Sequence, residues 1–113
     1  MDWTEERPWG RFKNLLDVDF TKVKIIEVDA GKRLSYQSHT KRRESWTVAK
    51  GEAVVILNDK EIFLKVGEHI DIPLGAKHRL ENRSSEKLSI IEVQTGTYFG
   101  EDDIKRYQDD WGR

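Results

Sequence analysis

Turn residues divide this chain so often that few folds remain open to it. Gly31, Gly51, Gly67 and the Pro73-Leu74-Gly75 break separate runs too short for ordinary helices. The runs between them are rich in β-branched residues or alternate in polarity, and so read as strands. They cover 22–28, 33–39, 44–49, 52–57, 61–65, 69–72, 77–81 and 88–94. Asn58-Asp59-Lys60 marks a hairpin without its usual glycine. Short strands with turn signals roughly every 8–12 residues predict an all-β sandwich or barrel. Only 101–108 (EDDIKRYQ) reads as helix, a short C-terminal tail with acids at its start.

The chain has 113 residues, which suits a single domain spanning 1–113. Charged and apolar residues each make up 36%, but four Trp, four Phe and three Tyr supply bulky core material. The net charge of −1 argues against nucleic acid or an anionic membrane as the main partner. No apolar run approaches the roughly 18 residues of a membrane span. The acidic start, Asp2-Trp3-Thr4-Glu5-Glu6, does not read as a secretory signal. The absence of cysteine excludes disulfides and thiolate metal sites and fits a reducing cytoplasm.

The chain has three histidines. Gln37 and His39 are two apart on one strand, so their side chains share a face. Glu44 opens the next strand, and His78 begins a later one after the Pro73–Gly75 break. A barrel gathers such inward residues although they are distant in sequence. Two imidazoles, a carboxylate and an amide oxygen form a mixed N/O set. Such a set suits one divalent ion (Zn, Mn, Co, Ni or Fe) and leaves positions open to water or substrate. Taken singly, each of these residues reads as a surface or hydrogen-bonded polar group; the spacing of the set argues otherwise.

That spacing resembles the cupin superfamily. The first cupin motif, G-x5-H-x-H-x3–4-E-x6-G, is matched by Gly31, Gln37, His39, Glu44 and Gly51, with Gln37 in place of the first histidine. The second, G-x5-P-x-G-x2-H-x3-N, is matched by Gly67, Pro73, Gly75, His78 and Asn82. A narrower resemblance runs along nearly the whole chain, to the C-terminal cupin domain of type II mannose-6-phosphate isomerases. It is carried by Arg7-Pro8-Trp9-Gly10, Gly31 to Gln37, Arg43-Glu44-Ser45-Trp46, His78 to Asn82, Ile91 to Gly96, and the tail from Gly100 through Ile104 to Gly112-Arg113. Gln37 is expected in that subfamily. Tyr36 and Trp111 depart from it, at positions where Leu and Tyr are common, and the chain reads as a stand-alone domain without the nucleotidyltransferase. The resemblance implies a cupin (double-stranded β-helix, or jelly-roll) barrel, a metal ion on Gln37, His39, Glu44 and His78, and a homodimer.

It also implies a metal-dependent isomerase interconverting mannose 6-phosphate and fructose 6-phosphate. Such chemistry needs a base, a group that stabilises enediolate oxygens and a phosphate anchor. Strand parity nominates Glu92 as the base, with an inward salt bridge as its plain alternative. It places Arg33 and Ser35 on the face of Gln37, inside the cavity. Lys24 is a candidate inward cation, and Arg106 a candidate phosphate anchor at the mouth. Arg43 and Arg79 are further substrate candidates, although Arg79 points away from His78 by parity. Lys41-Arg42-Arg43 otherwise reads as a solvated turn, Trp9 and Trp46 as packing, and His69 as surface. The competing readings are a non-catalytic cupin that binds a sugar phosphate or sugar nucleotide and, last, another cupin enzyme such as an oxygenase or epimerase.

Overall fold

A computed structural model describes residues 2–110; Met1, and with it the tail matches at Trp111, Gly112 and Arg113, lies outside. Among the described residues, eleven strands form two antiparallel sheets. β1 (Glu5–Arg7), β2 (Gly10–Val18), β3 (Thr21–Val28), β5 (Arg42–Lys50), β8 (His69–Ile72) and β10 (Leu88–Gly96) make one, in the order β1-β2-β3-β10-β5-β8. β4 (Tyr36–His39), β6 (Ala53–Leu57), β7 (Lys60–Leu64), β9 (His78–Glu81) and β11 (Ile104–Gln108) make the other, in the order β11-β4-β9-β6-β7. No helix among the described residues is long and apolar enough to cross a membrane.

The expected helical tail is a correction. Residues 101–103 form a single 3-10 turn, and 104–108 form a strand along the edge of β4. The alternation Ile104-Lys105-Arg106-Tyr107 already had strand period: Ile104 and Arg106 line the interior cavity. The pairing satisfies a row of β4 amides and carbonyls that a helix would leave open. β2 was absent from the predicted strands. A bulge between Asn14 and Leu16 shifts its register and breaks the alternation that would have revealed it. The hairpin at Asn58-Asp59 is a two-residue turn in which both residues have positive φ, 48° and 69°, which Asn and Asp tolerate. Gly51 is required by closeness: a side chain there would meet the Lys87 carbonyl oxygen at 2.7 Å.

The space between the sheets changes character along the strands. β5 points Arg42, Glu44, Trp46 and Val48 inward in succession, and β10 runs the same way through Gln94, Glu92, Ile90 and Leu88. One end is therefore polar. The other holds Val28, Val48, Val55, Leu80, Leu88 and Ile90, all at most 1% exposed. Each of these aliphatic side chains contributes about 1.5–3 kcal/mol by burial, which anchors the polar end.

Candidate metal centre and active site

Register builds the site. On one sheet Gln37 lies opposite His78, and Arg106 lies opposite Gln37 on the other side. On the facing sheet Glu92 stands between Lys24 and Trp46, and Gln94 lies opposite Glu44. The ligand atoms of His39, Glu44 and His78 come within 4.8 Å of one another, and all three residues are buried. His39 Nε2 is 3.0 Å from Glu44 Oε2, and His78 Nε2 is 3.9 Å from Glu44 Oε1. Gln37 reaches the same region, its Oε1 accepting from Ser35 Oγ at 3.4 Å.

Whether this set fits a metal is decided by His78. Its Nδ1 lies 2.9 Å from the Ala76 carbonyl, which can only accept, so Nδ1 carries the proton. Nε2 then presents a bare lone pair, is buried, and bonds no described group. An imidazole locked by its far nitrogen with its near nitrogen aimed into a carboxylate cluster suits a divalent cation. Burial holds the His78 pKa down against the Glu44 charge, which keeps the ring neutral as a ligand must be. Burial pushes the Glu44 carboxyl up, but the His39 hydrogen bond and the charges of His78 and Arg42 outweigh it and hold it well below the usual carboxylate range.

Glu92 behaves oppositely. It is 5% exposed and accepts from Trp46 Nε1 at 3.1 Å and Gln94 Nε2 at 2.6 Å. Burial, then the Glu44 charge, pushes it up to about 8, although Lys24 and Arg42 pull it down. Lys24 points inward, its Nζ 4.3 Å from the centre of the Phe12 ring, and burial lowers its pKa. Two neighbouring carboxyl groups with pKa values driven apart are a common device of acid–base sites.

A cavity of about 70 Å³ lies in front of this cluster. Lys24, Ser35, Gln37, Glu92 and Arg106 line it as expected, joined by Arg7, Arg42 and Gln94. His39, Glu44 and His78 lie behind that lining. Arg106 Nε is buried and bonds no described group, and a terminal nitrogen lies 3.7 Å from Glu101.

Three expected site residues are not brought here. Arg33 lies on the outer surface, where it pairs with Asp110 at 2.6 Å and approaches Glu81 at 3.8 Å. The strand it was assigned to begins only at Tyr36, so parity from Gln37 does not reach it. Arg43 is exposed because β5 starts at Arg42, which places Arg42 in phase with Glu44. Arg79 faces outward and is buried, with Nε donating to the Leu34 carbonyl at 2.7 Å and both terminal nitrogens to Gln108 at 3.1 Å. Arg42 and Trp46 were among the residues missed, with Arg7 and Gln94. Arg42 donates to Glu44 and meets His39, and Trp46 Nε1 donates to Glu44 Oε1 at 2.9 Å as well as to Glu92. The period-two run Arg42-x-Glu44-x-Trp46 was the signal available for both. His69 is exposed, as expected.

Two sheets with a His-Glu-His cluster between them at one end have the cupin fold. Among solved structures, KdgF from Halomonas sp. matches with a TM-score of 0.80 at 17% identity, over 90% of each chain. A Silicibacter pomeroyi protein described as a sugar phosphate isomerase from a cupin superfamily matches with a TM-score of 0.72 at 18% identity, over 88% of this chain and 76% of that one. Both show the fold alone. Sequence goes further: residues 2–109 match the model of the mannose-6-phosphate isomerase C-terminal family, and the chain belongs to it. The alginate biosynthesis protein AlgA of Pseudomonas aeruginosa is 44% identical over 107 residues, and the mannose-1-phosphate guanylyltransferase ManC of Salmonella typhimurium 43%. Each alignment covers 95% of this chain and 22% of the relative, so the chain spans a little over a fifth of the length of those proteins.

Proposed function

We propose that this cupin domain interconverts mannose 6-phosphate and fructose 6-phosphate, with a divalent ion held by Gln37, His39, Glu44 and His78. The observation that carries the reading is Glu92: a buried carboxyl outside the ligand set lines a cavity that also bears Lys24, Arg7 and Arg106. A binding module needs no such group, so Glu92 favours turnover over the non-catalytic alternative. Family membership supports the sugar-phosphate substrate.

Glu92 takes the C2 proton of the aldose. The electron pair left behind forms the C1–C2 double bond as the carbonyl pair moves to O1, giving the enediolate. The same carboxyl returns that proton to C1 while the O2 proton passes to O1; the O2 pair left behind forms the ketose carbonyl at C2, and O1 becomes the C1 hydroxyl. A carboxyl whose pKa lies near 8 sits close to the working pH, where one group can both accept and donate. Gln94 and Trp46 hold it in place from two sides. Lys24 places positive charge beside developing oxyanions. Arg106, with Arg7 also on the cavity lining, holds the phosphate through a planar fork. A bound divalent ion supplies Lewis-acid polarisation of the sugar oxygens.

The test couples fructose 6-phosphate formation from mannose 6-phosphate to a reporter, after reconstitution with Zn, Mn, Co or Ni. Turnover is expected that chelator removes and His78→Ala abolishes. Metal binding without turnover for any of these ions would instead favour the binding module.

A further inference from the structure

Arg42 stands between the cavity and the ligands. It lines the cavity and is 8% exposed, whereas His39, Glu44 and His78 are 2%, 4% and 1% exposed. Its Nε donates to Glu44 Oε2 at 2.9 Å, and one terminal nitrogen lies 3.1 Å from His39 Nε2. The other donates to the Phe99 carbonyl at 3.3 Å. Imidazole Nε2 has a single lone pair. In His39 that nitrogen lies 3.0 Å from Glu44 Oε2 and 3.1 Å from the Arg42 guanidinium, so its one position is taken either by a proton shared with Glu44 or by the Arg42 donor, and a cation binding there displaces both contacts. Arg42 therefore differs from an ordinary supporting residue, which bonds a ligand's far atom and leaves the near one to the metal. Its fixed positive charge also opposes a second cation in the same buried space.

We infer that Arg42 is a tethered cation that competes with the divalent ion for His39 and Glu44. Ion and guanidinium exclude one another at these ligands. Loading the ion turns the guanidinium out into the cavity, where its donors face whatever anion the cavity holds. The site thus exchanges an internal cation for an external one, and its metal affinity is set below what four good ligands would give. This inference rests on the metal-centre reading.

The experiment measures zinc affinity of the chelator-stripped full chain by competition with a chromophoric chelator. Arg42→Met is expected to bind zinc about ten- to a hundredfold more tightly than wild type, the scale on which residues around metal ligands act. Arg42→Lys, which keeps the charge but lacks the fork, is expected to fall between. A residue that merely organises the ligands predicts the opposite sign. A second measurement needs only wild type: labelling of Arg42 by a dicarbonyl arginine reagent, read by mass spectrometry, is expected to rise when zinc is added. Wild type that binds zinc, with unchanged or weaker binding by Arg42→Met or unchanged or reduced labelling, overturns the inference and leaves the metal centre standing. Failure of both proteins to bind zinc overturns both.

Discussion

Replacing Glu92 by Gln is expected to make the metal-free protein more stable at alkaline pH while removing its activity. The folded protein holds a proton on Glu92 up to about pH 8, against a usual value of 4.5. Between those limits the native state binds a proton that the unfolded chain has released, so stability falls as pH rises. The loss is fully expressed above the folded value and absent below the unfolded one. Each pH unit in that window costs about 1.4 kcal/mol, giving an upper figure of about 5 kcal/mol by pH 8. Gln mimics the protonated carboxyl. The Gln94 amide can rotate to accommodate it, because its Oε1 is buried and bonds no described group while its Nε2 donates to Glu92. Urea unfolding in the presence of chelator, at intervals from about pH 5 to 9, measures the effect. Subtracting wild type from variant cancels most of the pH dependence of His78 and Lys24, whose lowered values act in the opposite direction. The difference is expected to grow with pH and to reach several kcal/mol. The same variant is expected to lose about 10²- to 10⁴-fold in turnover, as for loss of a general base. A stability difference that stays flat across the range, or a variant less stable than wild type at pH 8, would show that burial does not hold the Glu92 proton as argued.

Arg106→Met should raise KM for the sugar phosphate about tenfold or more with a smaller change in kcat, because the lost contact is with phosphate and not with reacting carbons; steady-state kinetics separates the two. Asn82→Ala should cost about 2–4 kcal/mol in urea unfolding, since Asn82 is 1% exposed and its Nδ2 donates to the Val28 and Glu86 carbonyls at 3.0 and 2.7 Å, tying the apolar end to the following turn. His78→Ala should abolish the rise in melting temperature that zinc gives wild type, a check that needs no substrate.

The barrel was legible because its turns are chemically marked. Gly31, Gly51, Gly67 and Pro73–Gly75 bound strands whose alternation is clean, and the cluster of His39, Glu44 and His78 follows from two motifs with fixed spacing. What escaped were residues near strand ends. Parity counted from a wrong start is wrong throughout, and this is why Arg33 was placed inside and Arg42 outside. β2 escaped through its bulge, and β11 because five residues rarely distinguish strand from helix without knowledge of what lies beside them. That β4 offers an open edge is a tertiary fact, invisible along the chain. Trp46 read as packing, and it is packed; that its indole N–H also serves two carboxylates is visible only once β5 and β10 are side by side.

Trp46 also gives the site its own optical signal. Its ring sits edge-on to His78 with centroids 5.6 Å apart, and its N–H bonds both Glu44 and Glu92. Indole emission is quenched by a protonated imidazole in contact and shifts in wavelength when charge appears or disappears at its N–H end. Protonation of His78, ionisation of Glu92 and arrival of a cation at Glu44 each alter one of those conditions. The near-ultraviolet fluorescence of the unlabelled protein should therefore follow the state of the site in real time.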